Sequence, residues 1–230
     1  GTLADYAVRV TLSSGSSSGG SGGGGGNGGV SNKVIMPNVT PKPDVKDDTS
    51  DAEKGFLDVS SNHWAYEYVE KLRKDGIVNG VGENCFYPEN TVKREEFAKM
   101  LVLSMGLNPE GKSGFADAEE NWSDSYLAAA KNAGIINGIA DGMFGVGHDI
   151  TRQDLAIMIY RALPETLKSS QSGELFADDA DIADYAKEAV YALRSLGLIS
   201  GYENQFRPDE RATRAESAKI LAGFKGMIEK

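Results

Sequence analysis

The sequence predicts a mainly α-helical fold in which three related units, residues 55–111, 112–170 and 171–230, follow a flexible tether. Three observations lead there. A set of short phrases recurs three times at a spacing of about sixty residues, the mark of a duplicated supersecondary unit. Apolar residues inside each recurrence fall at the helical spacing rather than alternating. Upstream of them the composition changes abruptly to Gly and Ser, with no apolar pattern to pack.

In chain order, GTLADYAVRVTL (1–12) alternates Tyr6, Val8, Val10 and Leu12, the period of a half-buried strand. Too short to fold alone, it predicts the last strand of a preceding β domain. SSGSSSGGSGGGGGNGG (13–29) behaves as a random coil spanning on the order of 20–25 Å. Residues 30–54 add Pro and charge with few apolar side chains, a stiffer spacer that is still unpacked. Together, 13–54 predict a disordered linker that holds an upstream cargo domain away from the three units.

From residue 55 the phrases FLDV (56–59), FADA (115–118) and FADD (176–179) open the units. An aromatic comes next at Trp64, Trp122 and Tyr185, each twelve residues before the glycine that opens GIVNG (76–80), GIING (134–138) or GLISG (197–201). A Phe in a turn succeeds it, in CFYP, MFGV and QFRP. The last element is an arginine, Arg94, Arg152 or Arg214, at intervals of 58 and 62 residues. Within the first unit, WAYEYVEKLRKDG places Trp64, Tyr68, Leu72 and Val69 on one face and stops at Gly76, a C-terminal signal. EEFAKMLVLSMG carries Phe97, Met100, Leu101 and Ser104 at i, i+3, i+4, i+7. The Gly, Asn and Pro between them predict a turn-bearing loop.

Bulk properties exclude several functions. The chain has 230 residues and a formal net charge of −10, which argues against nucleic acid and against a polybasic membrane contact. No apolar run approaches the roughly eighteen residues of a membrane span. Cys85 stands alone, so neither an internal disulfide nor a cysteine metal cluster forms. His63 and His148 are the only histidines, too few for a His-rich metal site. DDADIAD (178–184) lacks the glycine and terminal glutamate of an EF-hand loop and reads as N-capping acids. NVT (38–40) and NWS (121–123) match the glycosylation sequon, a pattern with many false matches. For glycoside hydrolysis, no spacing or apolar setting in the sequence picks out a pair of carboxylates.

The residues around each arginine divide into two groups. Thr213 with Glu216 makes a capping box, and Thr151 with Asp154 a shorter version. In the first unit Lys93 replaces the threonine, so that box is lost although Glu96 remains. Capping does not require the arginine, and the positive end of the helix dipole opposes it. An arginine there either pairs with an acid of a neighbouring unit or, beside free helix N–H groups, binds a carboxylate or phosphate. Trp64, Trp122 and Tyr185 read either as core or as stacking faces for a sugar ring.

F-x-D, the aromatic, GIxNG, the turn Phe and T-R-x-E, three times in register, resemble S-layer homology (SLH) repeats over residues 55–230. The resemblance implies a pseudo-threefold, spindle-like helical bundle. It also implies a non-catalytic anchor on the bacterial surface, with no cofactor or metal. Grooves between repeats would bind an anionic secondary cell-wall polysaccharide, commonly pyruvylated, with the motif arginine on the ligand's carboxylate. By position, the ligand residues are Arg94, Arg152 and Arg214, with Glu96, Thr151, Asp154, Thr213 and Glu216 beside them. Trp64, Trp122 and Tyr185 are the groove aromatics, and Gly80, Gly138 and Gly201 let a sugar approach the backbone. The units read KREE, TRQD and TRAE, which predicts unequal grooves. An SLH region of this kind would anchor either an upstream domain or an S-layer lattice. A glycan-cleaving chain or a TPR-like peptide binder fits less well.

Overall fold

The computed structural model describes residues 55–168 and 174–229. The predicted strand at 1–12 and the linker at 13–54 lie outside the described residues. Each unit supplies two helices: α1 Tyr66–Lys74 and α2 Arg94–Ser104, α3 Asp124–Asn132 and α4 Arg152–Ala162, and α5 Asp184–Ser195 and α6 Arg214–Ile228.

Pairing is cyclic. The first helix of each unit packs on the second helix of the unit before it: α3 on α2, α5 on α4, and α1 on α6. The second helix α2 also meets α4 and α6. No unit covers its own apolar faces, so the three fold as one pseudo-threefold bundle. Phe97, Met100, Leu101 and Ser104 are all buried, as their spacing predicts. Trp64 is not. The first helix begins at Tyr66, and Trp64 stands before it with 53% of its surface exposed.

The extended segments feeding the second helices close a small backbone triangle. The Val92 N–H donates to the Ala212 carbonyl at 3.1 Å, Ala212 to Ile150 at 3.1 Å, and Ile150 to Val92 at 2.9 Å. Single antiparallel bridges flank it, Thr91 with Thr213, Lys93 with Asp149, and Thr151 with Arg211. All three triangle side chains are buried. The ring thus fixes where every second helix begins, and all the motif arginines leave from it.

Candidate functional site between the units

The phrase opening each unit holds that unit's later turn in shape. Asp58 accepts from the backbone N–H groups of Phe86 and Tyr87 at 2.7 and 2.6 Å. Asp178 does the same for Phe206 and Arg207, and Asp117 takes three amides, those of Phe144, Gly145 and Val146. These carboxylates hold left-handed backbone at Tyr87, Gly145 and Arg207. The Phe of the opening phrase packs against the turn Phe, with ring centroids 5.4 to 5.6 Å apart. Burial pushes the Asp117 carboxyl up, but the hydrogen bonds from Phe144, Val146 and Gly145 outweigh it and hold the group below its usual range. Sequence reasoning left Asp58 and Asp117 without a role and read Asp178 as an N-capping acid. The signal that could have found them is an acid 27 or 28 residues before each turn Phe.

Each turn presents its Phe carbonyl to the arginine of the preceding unit. The Nε–H of Arg94 donates to the Phe144 carbonyl at 3.1 Å, that of Arg152 to Phe206 at 2.8 Å, and that of Arg214 to Phe86 at 2.6 Å. Each guanidinium also lies over the ring of the same Phe, 5.1, 5.5 and 4.6 Å from the centroid, a favourable cation–π placement. Nη1 of Arg94 then pairs with Asp154 at 2.5 Å, and Nη1 of Arg152 with Glu216 at 2.6 Å. Arg214 differs. Its Nη2 donates to the Asn79 carbonyl at 3.3 Å, and Glu96 and Asp58 act on it only at longer range. Burial pulls the Arg214 guanidinium down from its ordinary value, and those two charges only partly oppose this.

The arginines are therefore latches between units, the partner role open to them in the sequence. The alternative assumed free amides at the helix starts, and the first amide of all three second helices, with the second amide of α4 and α6, is taken. The N–H groups of Arg94, Arg152 and Arg214 donate to the carbonyls of His148, Glu210 and Asn90, and those of Gln153 and Ala215 to Pro208 and Pro88. Side chains that reach across to a neighbouring unit explain why a cation sits at a helix start. Thr213 and Glu216 form the full capping box, and Thr151 caps Asp154. In the first unit half the box survives, since the Lys93 N–H donates to Glu96 at 3.1 Å. The Lys93 ammonium is drawn instead to Asp149 at 2.6 Å.

The glycines have an internal explanation. At Gly138 and Gly201, φ is +90° and +69°, and a Cβ would collide with the Met143 and Gln205 carbonyls and with the rings of Phe115 and Phe176. Gly80 would meet Phe56 at 3.1 Å. The close approach there is made by the protein's own rings. The aromatics lie outside the core: Trp64, Trp122 and Tyr185 are 53, 43 and 45% exposed. Lys99 sits 5.4 Å from the Trp122 ring, and the Tyr185 hydroxyl lies 3.4 Å from Asp154. Burial, then the charge of Asp154 and its hydrogen bond, push the Tyr185 phenol up to about 12. Elsewhere, Asp178 and Asp179 of the acidic run hold the turn, Tyr191 and Lys187 rather than capping α5. Asn121 of the NWS phrase turns its carbonyl to the Ser123 amide and hydroxyl. Among the described residues no helix is long and apolar enough to cross a membrane.

A cleft of about 390 Å³ opens between the first two units, lined by Arg94, Ile139, His148, Asp149, Thr151, Asp154 and, from the third unit, Arg211.

The S-layer homology domain profile matches residues 55–98, 114–156 and 175–218, together more than half of the chain. The chain is 30% identical to an endoglucanase of Bacillus sp. (strain KSM-635), over 73% of its own length and 18% of the relative's. It is 34% identical to an amylopullulanase of Thermoanaerobacterium thermosulfurigenes, over 75% of its length and 10% of the relative's. It is 29% identical to the S-layer protein sap of Bacillus anthracis, over 74% and 21% respectively. The chain thus spans about a fifth or less of these relatives.

Proposed function

The chain belongs to the S-layer homology domain family, a family of the bacterial cell surface that anchors proteins to the cell wall, and from that premise we propose that residues 55–229 are a non-catalytic polysaccharide-binding anchor. Its ligand is an anionic secondary cell-wall polymer carrying carboxylates such as pyruvate ketals, held in the clefts between units. The cargo is an upstream domain of the same polypeptide.

One observation carries this reading: every unit leaves a large aromatic half exposed at the same position, on a bundle with a guanidinium-bearing cleft between its units. Core packing does not require that exposure, whereas an aromatic face together with a cation suits a sugar ring bearing an acid. The matches support an anchor rather than a catalyst. About the same three-quarters of this chain matches two glucan-active relatives and an S-layer protein, as a small part of each. Binding through more than one cleft to one repetitive polymer would raise the effective concentration.

The test is sedimentation of the chain with purified wall sacculi, before and after chemical removal of the secondary polymer. Co-sedimentation is expected only before removal. Binding that survived it would place the ligand in peptidoglycan and sink the proposal.

A further inference from the structure

The motif arginine of the first cleft is already engaged. Arg94 is 6% exposed, and its guanidinium is held by the Phe144 carbonyl and by Asp154. The second acid of the cleft, Asp149, is paired with Lys93. Each of the two carboxylates lining this space thus has a cation of its own. Arg211 is left over. It is exposed and lines the cleft, and its side chain forms no ion pair or hydrogen bond among the described residues. It acts on Asp149 only through charge at longer range, behind Lys93. Its backbone is fixed nonetheless, because residue 211 bridges Thr151 beside the buried triangle.

The shape of the cleft has an equally local cause. Gly145 stands where the other two turns carry Tyr87 and Arg207, in the same left-handed conformation. A Cβ at Gly145 would lie 3.0 Å from Ile139 Cδ1 and 3.1 Å from Arg94 Cδ. The missing side chain therefore lets Ile139 and Arg94 pack close against the turn backbone, where the equivalent turns carry a Tyr or an Arg. It leaves an apolar surface, Ile139, in the cleft that Arg211 overlooks.

We infer that Arg211, contributed by the third unit, is the anion-binding residue of the cleft between the first two, with Ile139 as the apolar floor for the sugar ring and Arg94 as a positioning residue. The ligand is a saccharide with one carboxylate and one apolar ring face. The His148 imidazole and the Thr151 hydroxyl are additional hydrogen-bonding groups on the wall. The inference rests on the polysaccharide reading and refines it, because residue 211 lies outside the repeated T-R-x-E phrase. At the corresponding places of the other clefts stand Thr91 and Asp149, so the device belongs to this cleft alone.

The probes are a pyruvylated N-acetylhexosamine methyl glycoside and its carboxyl methyl ester, titrated into the full chain. Binding is measured by calorimetry and by the amide signals of Thr151 and Ala212. Arg211→Ala is expected to weaken binding of the acid about tenfold, the worth of one charge-assisted contact. It should leave binding of the ester and the melting temperature unchanged, and Arg211→Lys should recover part of the loss. If Arg211→Ala bound the acid as the parent does, or lost acid and ester equally, the assignment of Arg211 would fall while the polysaccharide reading stood. A parent chain that bound neither probe would overturn both.

Discussion

The Nε–H of Arg214 donates to the Phe86 carbonyl at 2.6 Å, across 128 residues of chain. That one bond joins the third unit to the first and closes the cycle that Arg94 and Arg152 continue. The Phe86 turn is itself held by Asp58, so a carboxylate, a left-handed turn, a carbonyl and an arginine form one relay at each junction.

Arg214→Ala is expected to lower stability by about 2 kcal/mol, because it removes a charge-assisted bond and leaves a carbonyl beside a buried ring without its donor. Arg214→Lys should recover less than half, since a lysine lacks the planar fork that reaches both Phe86 and Asn79. Urea unfolding at neutral pH measures this. A loss within about 0.5 kcal/mol, the ordinary cost of a surface change, would show that the latch is decorative.

Acid stability depends on Asp117. The folded protein binds that proton less readily than the unfolded chain, because three turn amides favour the carboxylate. The resulting stabilisation is complete above the unfolded carboxyl's value of about 3.9 and is lost as pH falls through the lower folded value. Asp117→Asn should cost about 2 kcal/mol at pH 7 through weakened turn hydrogen bonds. The gap between the two proteins should narrow steadily below pH ~4. Chemical unfolding of both proteins from pH 7 to pH 3 measures it, and a constant gap would contradict the argument.

The helices, their apolar faces and the caps were legible in the sequence because they depend on residues three or four apart. The three-unit plan was legible because the phrases repeat. What could not be read was where the second partner of each polar group lies. Asp58 finds its amides 28 residues on, and Arg152 its carboxylate 64 residues on. The same distance effect misplaced the free helix amides, which His148, Glu210 and Asn90 occupy from neighbouring units. Trp64 and Trp122 resembled core residues by type, and only the start of α1 and α3 after them leaves their rings outside. Arg211 carried no signal, since it matters only through a bridge to Thr151 and a glycine in another unit.

Ser217 occupies the position on α6 that Phe97 and Leu155 hold on α2 and α4. It is fully buried, and its hydroxyl has no hydrogen-bond partner among the described residues. Burying an unpartnered hydroxyl is unfavourable, so Ser217→Ala is expected to raise stability by about 1 kcal/mol. Thermal unfolding decides it, and a lower melting temperature would mean that the hydroxyl has a donor or acceptor after all.

Trp122 separates stability from binding. Its ring is 43% exposed and touches Lys99 and Tyr126 rather than the core. Trp122→Ala should cost under about 1 kcal/mol of stability, far less than a core aromatic would. It should weaken polymer binding about tenfold, the scale of one lost stacking contact. A large fall in melting temperature with binding intact would return Trp122 to the core.

The three motif arginines should not contribute equally to that binding. Arg152 is neutralised by Glu216 at 2.6 Å, and Arg94 by Asp154, whereas Arg214 has no carboxylate at ion-pair distance among the described residues. An incoming carboxylate must displace an internal acid at the first two but not at Arg214. Alanine at each position, assayed on wall polymer well below every melting temperature, should reduce affinity most at Arg214 and least at Arg152. In the second cleft Thr91 stands where Arg211 overlooks the first, so no spare arginine replaces the one bound to Glu216. Equal losses at the three positions would mean that the internal ion pairs open freely, and that the difference between KREE, TRQD and TRAE does not shape the grooves.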